Sequence, residues 1–190
     1  MALTPGRAAM GPGNIYVADY GTAEPQENAT GIMTTPSASW VDCGDTLGGV
    51  TVSFGPKYKN LEFDQVTMPV GARKTEDSVI VKVKLAEVTL GNLDLIMSGG
   101  TLTNGTGFDK LAPEVALTGT SEPEYKALII DGSGPLGYRR RIILRKALNT
   151  NNISIEYNKD NQQVFEAEFT GFYVSPTTDA YVFLQDTLSS

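Results

Sequence analysis

Residues 75 to 97 read TEDSVIVKVKLAEVTLGNLDLIM, and two periods follow one another within them. Val79, Val81, Val83 and Leu85 fall on one side, with Ser78, Ile80, Lys82 and Lys84 on the other. Alternation of that kind marks a strand with one dry face. From Ala86 the spacing changes. Ala86, Leu90, Leu93 and Met97 recur at helical intervals, and Ser98-Gly99-Gly100 ends the pattern. β-branched residues fill the first half, and Leu, Glu, Ala and Met the second, as propensity favours. A strand feeding a short helix is therefore the unit around which the domain is expected to form.

Upstream, Gly49–Phe54 (GVTVSF) reads as a strand that Gly55-Pro56 interrupts. Lys59–Met68 (KNLEFDQVTM) alternates again, with Leu61, Phe63 and Gln65 sharing one face. Residues 50 to 85 thus form a long hairpin-like section, with a polar tip expected around Val70–Lys74. Residues 1–13 read as a flexible arm and Asn14–Ala18 as a short strand. Residues 19–38 carry no period and read as a long loop whose far end Trp40 pins. Downstream, 98–123 is a Gly- and Thr-rich loop with a short apolar patch at 115–117. Strands are predicted at Tyr125–Asp131, Tyr138–Leu148, Ile153–Tyr157 and Gln163–Val174. The expected core comprises Val52, Phe54, Leu61, Phe63, Val79, Val81, Val83, Leu85, Leu90, Leu93, Leu128, Ile130, Ile153, Ile155, Phe165 and Phe169. The fold class is mainly β: an antiparallel β-sandwich or barrel with one flanking α-helix. The sandwich spans 14–176, with a C-terminal tail at 177–190.

The chain has 190 residues, a formal net charge of −7, no His and one Cys. An intramolecular disulfide and any His-based dyad or metal site are thereby excluded. Cys43, beside Asp42 and Gly44, reads as structural because no base stands near it to activate it. No run approaches the 18 or so apolar residues of a membrane helix, and the start lacks a signal-peptide pattern. Synthesis in the cytoplasm and no membrane insertion are expected. No phosphate-binding loop, zinc pattern or EF-hand occurs, so no cofactor and no metal are expected. Asp64 and Glu87 are the central carboxylates; a wet strand face and a helix first turn account for them without catalysis.

Charge is uneven along the chain. No Lys or Arg stands between Ala8 and Pro56, or after Lys159. Acidic ends and a basic middle suit subunits that meet head to tail. The group Arg139, Arg140, Arg141, Arg145 and Lys146 has no aromatic residues interleaved for stacking bases, so salt bridges suit it better than nucleic acid. Glu166 and Glu168 lie on the wet face of their predicted strand, as Glu156 does on its own. Were these faces to line a ring, its interior would be negative and would let DNA slide. Tyr181, Val182, Phe183 and Leu184 in the tail have no loop partner nearby and are expected to find a groove on another subunit.

The order of elements resembles the major tail protein, or tail tube protein, of long-tailed bacteriophages. The resemblance rests on LEFDQVTMPVG at 61–71, VIVKVKLAE at 79–87 running into TLGNLDLIM, and RRRIILRKA at 139–147. It covers roughly residues 40–175 and is carried by a diffuse pattern. It implies a β-sandwich with one helix, hexameric rings stacked into a tube, and passage of double-stranded DNA without specific recognition. It also implies that the segment from Pro56 to Thr75 contacts the adjacent ring, making Lys57, Lys59, Arg73 and Lys74 candidate contact residues. Tape measure, tail terminator and tail tip proteins would be partners, in a virion tail assembled in the host cytoplasm. The alternatives are a terminator or head-tail connector ring, a ligand-binding sandwich using Trp40, Tyr58 and Tyr138, or an enzyme with paired carboxylates.

Overall fold

The computed structural model describes residues 11–27, 33–97, 99–113 and 122–186. The expected N-terminal arm lies mostly outside them, as does the apolar patch at 115–117. Within them the chain runs β1 (Asn14–Asp19), β2 (Val41–Asp42), β3 (Thr46–Phe54), β4 (Lys57–Leu61), β5 (Gly71–Glu76), β6 (Val79–Leu85), α1 (Leu90–Ile96), β7 (Gly100–Asn104), β8 (Asp109–Pro113), β9 (Lys126–Ser133), β10 (Arg139–Asn149), β11 (Phe165–Gly171) and β12 (Tyr181–Gln185). The main sheet has the order β2-β1-β9-β10-β11-β6-β3, with β12 also on β10; β4–β5 and β7–β8 are separate hairpins. Every pairing is antiparallel. This is the expected mainly β, sandwich-like fold with one flanking helix.

β10 turns one sheet into two layers. Arg140–Leu144 pair with β12, whereas Ala147–Asn149 pair with β11. Its register with β9 slips between Leu144 and Ala147. A bulge bends a strand and increases its twist, so a single strand serves both layers. The core lies between them: Ile15, Val17, Leu128 and Leu144 from one side, Val81, Val83, Phe165 and Phe169 from the other. Each such side chain contributes roughly 1.5–3 kcal/mol by leaving water. At the fold line neighbouring side chains close over the Gly171 backbone. A Cβ on Gly171 would lie 2.3 Å from Val79 Cγ1 and 2.8 Å from Leu144 Cδ1.

The loop at 19–38 has a structural task. Ala18, Trp40, Ala127, Ile129 and Ile143 form a second buried cluster on the back of β9 and β10, with Val182 and Leu184 packed against it. Trp40 Nε1 donates to the Ala23 carbonyl at 3.0 Å, so the tryptophan pins the loop as its position in the sequence predicts. Arg145 forms an ion pair with Glu24, and Arg139 Nη1 donates to the Met33 carbonyl at 3.2 Å. Beneath this cover Arg141 is fully buried and donates through Nε and Nη2 to the two oxygens of Asp131, each at 2.6 Å. The basic run of β10 is thus largely spent on intramolecular ion pairs. Lys146 instead lies over the Tyr125 ring, 4.1 Å from its centroid.

The helix is shorter than its period predicts. Thr89 caps it, accepting from Asn92 N at 3.1 Å, and Ala86 is still tied to the Asp45 carbonyl at 2.9 Å. The buried face is Asn92 and Ile96, while Leu90 is exposed. Asn92 Nδ2 bridges the carbonyls of Cys43 at 3.0 Å and Glu87 at 2.8 Å, so its buried amide is satisfied. Cys43 is buried, and desolvation, with Asp42 and Glu87 nearby, pushes its thiol up to about 12. It is inert packing.

Several expectations need correction. Strand β4 stops at Leu61, and Phe63 and Leu61 are exposed, because no layer among the described residues packs on this hairpin. Val52 is only partly buried, and Phe54 lies at a rim. Residues 153–157 form no strand. On either side of the segment asparagine side chains bond the backbone: Asn149 Oδ1 accepts from Glu168 N, Asn151 Oδ1 from Asn152 N and Asn158 Oδ1 from Asn161 N. Ile155 and Tyr157 are consequently exposed. The Gly- and Thr-rich stretch after the helix contains a hairpin, β7–β8, rather than a plain loop. Finally, Tyr181, Val182, Phe183 and Leu184 are not a loose tail: they pair with Leu144, Ile143, Ile142 and Arg141 of the same chain.

Candidate assembly surfaces

Residues 46–85 form one long antiparallel ribbon. β3 pairs with β6, and Gly55 N bonds the Ser78 carbonyl at 2.8 Å across the interruption. The ribbon then continues outward as β4–β5. Five residues at ~3.3 Å each carry it about 17 Å beyond the domain before its turn begins. All of β4 and β5 is exposed. The tip, 62–70, is closed by Val70 N on the Leu61 carbonyl at 2.9 Å and Val66 N on the Phe63 carbonyl at 3.1 Å. It is mixed rather than simply polar: Phe63, Val66, Met68 and Val70 are exposed, Met68 at 74%, beside the exposed carboxylates of Glu62 and Asp64. Such a concentration of exposed apolar side chains marks an interaction surface.

The charged candidates sit on the arms of this hairpin. Lys57 pairs with Glu76 and Lys74 with Asp77, both at 2.5 Å. The bond to Asp77 holds the Lys74 ammonium above its ordinary range. Lys59 stands directly opposite Arg73. Like charges in register repel, and among the described residues neither forms an ion pair.

At the other end of the ribbon the chain enters α1. Gly44 lies against the Glu87 carboxylate, with a φ of +76° that a Cβ-bearing residue would find strained. Asp42, Asp45 and Glu87 are exposed there, as are Leu47 and Leu90. Glu87 precedes the helix rather than standing in its first turn. Asp64, in the hairpin tip, and Glu87 are therefore at opposite ends of the ribbon and make no catalytic pair.

Alternation along β11 puts Phe165, Ala167 and Phe169 inward and Glu166 and Glu168 outward. These carboxylates are not alone. Glu168 pairs with Lys82 at 2.8 Å and Glu166 with Lys84 at 2.5 Å, each across the β11–β6 ladder. Glu156 is exposed in the irregular segment and lines a shallow depression with Glu166. On the outward face of β6–β11 these two acids are thus locally compensated, each by a lysine of β6.

The outer edge of β3 has no strand partner among the described residues. Nearby, Phe54 packs against Tyr181 and Phe183, with ring centroids 5.2 Å and 5.1 Å apart. Half of Phe183 remains exposed. The sequence shows the apolar character of β12 but not its partner, β10.

The chain matches the family model described as phage tail tube protein over residues 6–190. No curated protein matches it.

Proposed function

Because the chain belongs to the phage tail tube protein family, structural components of the virion tail, we propose that its copies close into hexameric rings and that the rings stack into a hollow tube for the genome. The match along nearly the whole chain carries this reading. The free edge of β3 supports it: ring closure supplies a neighbouring strand for backbone groups that an isolated subunit leaves to water. In the ring, the outward face of β3–β6–β11 lines the channel, with Glu156, Glu166 and Glu168 among its acids. The lysines on this face compensate Glu166 and Glu168 locally. Double-stranded DNA then meets no concentrated basic surface able to hold it.

The hairpin bearing Lys57, Lys59, Arg73 and Lys74 reaches the adjacent ring. Tyr181 and Phe183, beside Phe54, meet the neighbour within a ring, while Val182 and Leu184 hold β12 to its own domain. The role is mechanical, without turnover or cofactor. The tape measure protein occupies the lumen during assembly in the host cytoplasm, and terminator and tip proteins close the ends.

Negative-stain electron microscopy of the purified protein over a concentration series tests this. Hollow tubes of uniform width are expected. Compact monomers at every concentration and salt level would contradict it; rings that never stack would favour a terminator or connector.

A further inference from the structure

We infer that the β4–β5 hairpin of one copy seats on the α1 end of a second copy, with Lys59 and Arg73 meeting Asp42, Asp45 and Glu87. This rests on the stacked-ring reading and names the acceptor that it leaves open.

The hairpin needs a partner on two counts. Its tip exposes Phe63, Val66, Met68 and Val70 among Glu62 and Asp64, and on its arms Lys59 faces Arg73 with no ion pair to either among the described residues. Protein that brings both apolar surface and negative charge answers both needs. The α1 end presents that combination. Asp42, Asp45 and Glu87 are exposed there, and none of them forms an ion pair among the described residues. Leu47 and Leu90 are exposed beside them, at 48% and 39%.

Topology makes the contact repeatable. β3 and β6 run antiparallel; the hairpin leaves from their Phe54–Val79 end, while Thr46 and Leu85, next to α1, mark the other. Donor and acceptor therefore lie at opposite ends of the same ribbon. A surface that fits a different surface on an identical copy adds subunits in one direction without closing. Stacking requires that arrangement, and it gives the stack a polarity.

A charge swap tests the pairing. One variant carries K59E and R73E, a second D45K and E87K, and a third all four changes. The readout is the lowest protein concentration at which tubes sediment at low salt, with Trp40 fluorescence checking the fold. Each two-site reversal is expected to raise that concentration about tenfold, as attractive exposed pairs become repulsive. The four-site variant is expected to return to within about twofold of the parent chain, because attraction is restored with its sign exchanged. Unchanged assembly in either reversal, or a folded four-site variant as impaired as the reversals, would overturn the acceptor assignment while parent tubes leave the tube reading intact. Failure of the parent chain itself to form tubes would overturn both.

Discussion

Asp131→Ala leaves the guanidinium of Arg141 without its counter-ion. Arg141 is 0% exposed, so no rotamer change of moderate size takes it to water. Two charge-assisted bonds of 2.6 Å disappear. At roughly 1.5–3 kcal/mol each, these account for about 3–6 kcal/mol. Removing one partner of a buried pair typically costs about 3–5 kcal/mol, and that is the loss expected here. Arg141 Nη1 has no hydrogen-bond partner among the described residues, so the site has little slack to absorb the change. Arg139 also touches Asp131, at 3.3 Å, but its side chain is 46% exposed. Arg139→Ala should therefore cost less than about 1 kcal/mol. Urea unfolding at low protein concentration, followed by Trp40, measures both. Exchanging the pair together, as Arg141→Met with Asp131→Leu, should recover most of the loss, since apolar replacement of a buried pair is often neutral. A loss below about 1 kcal/mol in Asp131→Ala, or one equal to that of Arg139→Ala, would refute the reasoning.

Gly171→Ala should destabilise by about 1–3 kcal/mol, because its methyl meets Val79 and Leu144 at the fold line; chemical denaturation reads the change. Cys43, buried with its thiol pushed up to about 12, should resist a thiol reagent at pH 8 until the chain unfolds; stoichiometric labelling of the native protein would contradict this. Lys126 is desolvated, but bonds to Asp19 at 2.8 Å and Glu124 at 3.4 Å outweigh that and hold its ammonium above the ordinary 10.5. A raised folded value means stabilisation present below 10.5 and lost as pH rises through the folded value. The stability advantage over Lys126→Met should therefore disappear at high alkaline pH, a trend that paired unfolding curves will show.

What the sequence made legible depended on a core to read against. Val79, Val81, Val83 and Leu85 alternate because one face of β6 is dry, and Phe165, Ala167 and Phe169 on β11 obey the same constraint. Leu61 and Phe63 alternate equally well, yet none of the described residues covers them. Periodicity records an apolar face; it does not say whether that face meets this chain or another. The same limit hid the fate of β12, whose residues read as apolar while their partners, Arg141–Leu144, lie some forty residues away by sequence.

The charged residues were legible in the sequence, but their pairings were not. Asp131 and Arg141 are cross-strand partners in β9–β10. Counting back from a Gly132–Gly137 turn would set Asp131 opposite Tyr138; the observed ladder starts with Ser133 opposite Arg139, and that register brings Arg141 to Asp131. Glu166 with Lys84 and Glu168 with Lys82 required the β11–β6 register, which no local signal in the sequence fixes. That register changes the chemistry of the proposed channel wall, because each of these two acids is compensated by a lysine of β6. The hairpin tip shows the opposite case: its apolar residues are plain in the sequence, but the position of the turn is set by backbone bonds from Val66 and Val70.

A reconstruction by cryo-electron microscopy of tubes assembled from the purified chain tests the central claim most directly. The expected map shows a channel lined by the outward face of β3, β6 and β11, with Lys82, Lys84, Glu166 and Glu168 on its wall and the β4–β5 hairpin crossing into the next ring. Tubes with that face turned outward, or with the hairpin folded back on its own subunit, would contradict it.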